Sequence, residues 1–148
     1  MADIKIEGTA FLNIDEYHYE HSYKRLCPSL GGKLEKDALF PTMAHLLVWS
    51  AVLGYINKCP NPIAKRYPSP PVRWQFIKPD HQMVLVMLAL ESENDFDVLK
   101  SPEKIKNSIE MHSNGGLDLM QKTLALNPLS YQNIESVINE IIQRTKKG

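Results

Sequence analysis

The sequence predicts a mostly α protein, a single compact bundle of about five or six helices with a long proline-rich loop and at most minor β-structure. Three observations predict it. Apolar residues recur at helical spacing in several windows, those windows open on capping residues, and six of the ten prolines crowd into residues 58–79. At 148 residues with 43% hydrophobic content, the chain is long enough to bury a real core. We take residues 1–148 as one domain.

Residues 1–14 are short and poorly periodic, and IKI and TAFLNI each suit a short strand or an extended arm. From Asp15 the stretch DEYHYEHSYKRL begins with acids and ends with Lys24 and Arg25, the charge order that a helix dipole favours. Tyr19, Tyr23 and Leu26 give it an apolar face, and Pro28 with Gly31-Gly32 ends it. A short piece, KLEKDALF, leads to Pro41 and to Thr42, an N-cap residue. The helix MAHLLVWSAVLGYIN is then apolar almost all round, with Met43, Leu46, Leu47, Leu53 and Ile56 as one stripe. Such a helix is buried in a core or in an interface.

Prolines at the density of residues 58–79 exclude a helix or a central strand, because they remove ladder donors. A strap over the domain follows, with VRWQFI as an edge strand. Asp80 can cap the next helix, HQMVLVMLALES, whose apolar run makes it the central helix, and the acidic stretch ESENDFD follows. Ser101-Pro102-Glu103 is a strong helix start. Ile105 and Ile109 carry that helix inward to Asn114-Gly115-Gly116, and Leu117, Leu119, Met120 and Leu124 resume the period. Asn127-Pro128 breaks it. Ser130 caps a last helix with the stripe Ile134, Val137, Ile138, Ile141 and Ile142.

The glycine pair needs a reason, since each Gly costs roughly 1 kcal/mol against Ala in a helix interior. Our main reading is a structural hinge at Asn114, Gly115 and Gly116, a joint between helices 102–113 and 117–126. A second keeps the helix continuous and uses the glycines as a smooth groove for another helix. A third makes the backbone N–H groups an anion site, against which Asp118 argues by repulsion.

Catalytic signals are weak. His18 and His21 can share one helix face at metal-ligand spacing, but no third ligand or HExxH accompanies them, and solvated histidines are the expected reading. No phosphate-cradling glycine motif and no nucleophile elbow occurs. Glu91, Glu93, Asp95 and Asp97 alternate as a solvated loop would. We expect no enzyme, no cofactor and no metal site. Cys27 and Cys59 form neither a disulfide framework nor a CxxC motif. The start MADIKIEG has no basic-then-apolar leader, and the longest apolar run, Met83 to Leu90, falls short of the about 20 residues that span a bilayer. The expectation is a cytoplasmic protein with no membrane partner.

Charge is segregated although the formal net charge is zero. Residues 41–79 hold Lys58, Lys65, Arg66, Arg73 and Lys78 and no acid, whereas residues 80–99 hold Asp80, Glu91, Glu93, Asp95 and Asp97 and no base. Tyr67 and Trp74 interleave the bases, a mixture that can stack on nucleobases while cations meet phosphates. The competing reading pairs those bases with the acidic loop or with a partner protein, and it is the one we favour.

Three segments carry a family resemblance: KDALFPTMAHLLVWSAVLGY at residues 36–55, Arg73-Trp74-Gln75-Phe76, and IEMHSNGGLDLM at residues 109–120. In this order they resemble a family of small proteins encoded beside DNA phosphorothioation (Dnd) modification and restriction systems. Met111-His112-Ser113 depart from the family pattern, where acid, Tyr and Ala are expected, as does the proline-rich strap. The resemblance implies a part in phage defence and no particular reaction. The expected function is therefore a non-catalytic accessory protein that docks on a larger component of such a system, with Trp49 and Tyr55 of helix 42–57 as interface residues. The alternative is a DNA-binding module using Lys58, Lys65, Arg66, Arg73, Trp74 and Lys78. Helix 42–57 could also pair with a second copy, giving a homo-oligomer.

Overall fold

A computed structural model of the chain describes residues 6–8, 10–24, 27, 42–70 and 72–126, with side chains to residue 122 in the last stretch. The IKI segment apart from Ile6, the stop at Pro28 and Gly31-Gly32, KLEKDALF, Asn127-Pro128 and the helix expected from Ser130 lie outside the described residues. The described part is mostly helical, with four helices and one two-stranded sheet.

Helix α1 starts where its acids predict. The Asp15 carboxylate accepts from Tyr17 N at 2.9 Å, Glu16–His18 form one α-turn, and Tyr19–Tyr23 continue as a π turn. Helix α2, Met43–Ile56, is capped by Thr42, whose hydroxyl accepts from His45 N at 3.2 Å. Helix α3 spans Pro79–Glu93. Its expected cap, Asp80, instead lies inside the first turn, behind Lys78 at the cap position. Pro79 accounts for the shift: it has no N–H to satisfy, and its fixed φ is already helical. Asn94 ends α3 in the left-handed region, at φ 51° and ψ 39°. A 3-10 turn, Phe96–Lys100, then leads to α4, Pro102–Leu126, where Ser101 Oγ accepts from Lys104 N at 3.4 Å.

Helix α4 runs unbroken through Asn114-Gly115-Gly116, so there is no joint and helices 102–113 and 117–126 are one. The second reading of the glycines accounts for them. A Cβ added to Gly116 would collide with the carbonyl oxygen of Ser50 and lie 3.1 Å from Gly54 N. One added to Gly54 would collide with the carbonyl of His112. These obstacles are backbone atoms, which cannot rotate away. The helices α2 and α4 thus meet backbone to backbone along Ser50, Gly54, Ser113 and Gly116, and the Ser50 and Ser113 hydroxyls share a buried 2.7 Å hydrogen bond in the seam. Gly115 faces the strap: its Cβ would collide with Cys59 O.

Around this seam Leu46, Leu47, Leu85, Ile105, Ile109, Leu117 and Met120 form the core. His45 meets His81 near the starts of α2 and α3, while Tyr55 and Ile56 face Met87 and Glu91 across a groove near their ends, so these two helices run side by side in one direction. Helix α4 returns against both. The N-terminal segment follows α4, with Asn13 beside Glu110 and His18 beside Asp118. Strand β1, Phe11–Leu12, pairs antiparallel with β2, Val72–Arg73. VRWQFI is therefore a strand only at its start, and Trp74–Phe76 turn as a 3-10 helix.

The strap is tied down residue by residue. Cys59 N donates to Gly54 O, and Asn61 N to Met111 O. Asn114 Nδ2 donates to the carbonyls of Asn61 and Pro62 at 3.1 and 3.2 Å. Asp15 accepts from Ala64 N at 2.9 Å, and Tyr67 N reaches Ile14 O. The carbonyls of Gly54, Met111 and Ile14 and the side chains of Asn114 and Asp15 thus supply partners that a proline-rich chain cannot give itself.

Candidate functional site

The outer face of α2 and α3 is apolar and open. Leu85, Val86, Leu88 and Ala89 fill the inward side of α3, which leaves Met83, Val84 and Met87 on the outside, 54%, 44% and 60% exposed. Ile56, expected in the buried stripe of α2, is 63% exposed beside them. A groove of about 390 Å³ lies between Val52, Tyr55 and Ile56 on one side and Val84, Met87, Leu88 and Glu91 on the other. A second hollow of about 520 Å³ adjoins it, sharing Tyr55, Ile56 and Glu91 and adding Lys58, Pro60, Ser92 and His112. Of the two expected interface residues, Tyr55 lines both hollows. Trp49 is half-buried and packs against the core. The run expected to be the central helix is thus half core and half surface.

The bases of the strap sit on different elements. Lys58 lies at the end of α2 with φ 51°, beside Glu91 in the larger hollow. Lys65 pairs with Glu16 at 3.3 Å. The Arg73 guanidinium sits 4.9 Å from the Phe11 ring centre, and Lys78 precedes α3. Trp74 is buried, 7% exposed, which takes its ring out of the expected stacking surface, and half-buried Tyr67 stacks one face on Tyr19 with ring centres 3.9 Å apart. No ion pair joins the strap to the acidic residues 91–97 among the described residues.

Two buried polar groups connect the elements. His18, expected to be solvated, is 2% exposed. Its Nδ1 lies 2.9 Å from Ser22 Oγ, and its Nε2 lies 2.7 Å from Asp118 Oδ1. Asp118 Oδ2 accepts from Asn61 Nδ2 at 2.6 Å. The order Ser–His–Asp is that of a hydrolytic triad, but Ser22 is 5% exposed, one turn from His18 on the same helix. The chain of bonds ties α1, α4 and the strap. His21 is exposed, and no group of three His, Cys, Asp or Glu side chains suited to a metal occurs among the described residues.

Glu110, 6% exposed, accepts from Asn13 N at 2.7 Å and Asn13 Nδ2 at 3.0 Å through one oxygen. Burial raises its pKa above the ordinary carboxylate value, opposed by the Asn13 bonds and by Lys106 and Arg66. It lines a pocket of about 240 Å³ with Arg66, Asn107 and Met111. Burial also pushes the Cys27 thiol up to about 12, which keeps it protonated at neutral pH. No helix among the described residues is long and apolar enough to cross a membrane.

Residues 20–148 match the family described as DNA sulphur modification system-associated protein 4. The chain belongs to this family. No curated protein and no solved structure matches it. The three segments that resembled the Dnd-associated family hold the fold together here: two form the α2–α4 seam through Gly54 and Gly116, and the third buries Trp74. The outer face of α3 lies outside all three. Its signal was present in the sequence, because HQMVLVMLALES is too widely apolar for one inward stripe. Glu110 and the His18–Asp118 link had no sequence signal, since both depend on partners about 100 positions away.

Proposed function

We propose that this protein is a non-catalytic accessory component of a DNA sulphur modification system linked to phage defence, and that it docks on a larger protein of that system through the outer face of α2 and α3. The observation that carries the reading is the groove walled by Tyr55, Ile56, Val84 and Met87, flanked by exposed Met83. Contiguous exposed apolar surface on a small soluble domain marks an interaction site. Membership of the family supplies the setting.

The test is co-purification of the tagged chain with the other proteins of the system, comparing wild type with Val84→Glu and Met87→Glu. Both positions are exposed, so the variants should fold with unchanged circular dichroism. Loss of the partner with both variants is expected. A partner retained by both would overturn the reading. DNA binding through Lys58, Lys65, Arg66, Arg73 and Lys78 remains the second reading, supported by the exposure of Lys58, Lys65, Arg66 and Lys78; Trp74, expected to join them, is buried.

A further inference from the structure

We propose that the α2–α3 groove takes an amphipathic helix carrying a basic flank, supplied by the larger component; the inference rests on the docking reading above. The groove is a furrow between two parallel helices, the shape that receives the apolar side of a third helix. Its chemistry is uneven along its length. Glu91 stands in both hollows, Glu93 shares the last turn of α3, and Asp95 and Asp97 follow at once.

Carboxylates at a helix C-terminus add to the negative end of the helix dipole rather than offsetting it, so the end of α3 carries two like-signed contributions. Within this run the described ion pairing is Lys100 with Asp97 at 3.6 Å, both solvent-exposed. Lys58 lines the same hollow as Glu91 without pairing to it. A docked helix with an apolar stripe on Ile56, Val84 and Met87 and a Lys or Arg over Glu91, within the negative field of the acidic helix end, would satisfy both features at once. Basic side chains over that acidic end would also fix the direction in which the helix lies.

The experiment uses peptides of roughly 18 residues, five helical turns, tiled across the other proteins of the system. Binding to the full chain is read by fluorescence anisotropy for wild type, Met87→Glu and Glu91→Lys/Glu93→Lys. The expected binders combine an apolar stripe with Lys or Arg, and each variant weakens them at least about tenfold. Exchanging the peptide's basic residues for Glu should restore binding to Glu91→Lys/Glu93→Lys. Binders weakened by Met87→Glu but unmoved by the charge reversal would leave the docking reading standing and overturn the basic flank. No binding peptide, with the intact component still lost on Met87→Glu, would overturn the helical occupant alone. No binding peptide and an intact component indifferent to Met87→Glu would remove the docking reading itself. Light scattering showing a dimer dispersed by Met87→Glu would make a second copy the occupant and overturn the inference.

Discussion

Gly116 is the residue on which two physical arguments give opposite signs. Helix propensity alone says that Gly116→Ala should stabilise by about 1 kcal/mol. The structure puts the Ser50 carbonyl where the new methyl would go, and overpacking of this kind costs typically 1–3 kcal/mol. The account predicts net destabilisation for Gly116→Ala and Gly54→Ala alike, measured by urea denaturation, with a lowered midpoint. The glycines were visible in the sequence, but their purpose was not, because the obstacle comes from a helix about 60 positions away. Glu110 gives a second prediction at this scale. Its folded pKa is raised, so the folded state holds the proton more tightly than the unfolded one. Stability then falls as pH rises from the ordinary glutamate range through the raised value, and Glu110→Gln should remove that part of the pH dependence. Thermal melts across the acidic range would show the two curves converging at low pH.

The helices were legible where the chain carries its own punctuation. Thr42, Asp15 and Ser101-Pro102 open α2, α1 and α4 as their chemistry dictates. Asp80 failed as a cap only because Pro79 already occupied the first turn. The irregular strap was predictable from its prolines, but its anchors were not, because they sit on other elements. Asn114 donates to two strap carbonyls from the middle of α4. With each hydrogen bond contributing about 0.5–1.5 kcal/mol net, Asn114→Ala should loosen the strap more than it disturbs the helix. Hydrogen exchange should rise in residues 59–66 while the α4 amides around Ile109 stay protected. Equal acceleration in both would show that Asn114 supports the helix rather than the strap.

Across the whole molecule, zero net charge conceals a spatial division. Within residues 41–99 four of the five acids, Glu91, Glu93, Asp95 and Asp97, lie at or just past the end of α3, whereas the five bases are spread over the end of α2, the strap, the sheet and the start of α3. Duplex DNA is held by cations set along its phosphates, and a single strand also by rings free to stack; here the bases sit on several different elements, Trp74 is buried and Tyr67 stacks on Tyr19. The account therefore predicts only weak binding to duplex DNA, phosphorothioate or ordinary, at near-physiological salt. Anisotropy titrations of wild type against Arg66→Ala/Arg73→Ala should differ little. Tight binding with a steep salt dependence, abolished by the double variant, would favour the second reading.

The proposed docking face was only half legible. The reasoning that marked helix 42–57 as too apolar to hide applies equally to α3, where the larger exposed area lies. The most direct measurement is hydrogen–deuterium exchange on the purified protein, alone and mixed with the proposed partner, the larger component of its system. The account predicts new protection confined to the end of α2 and to α3, residues 52–56 and 83–91, with the strap unchanged. Protection centred on strap residues 58–66, with α3 exchanging as in the free protein, would contradict it.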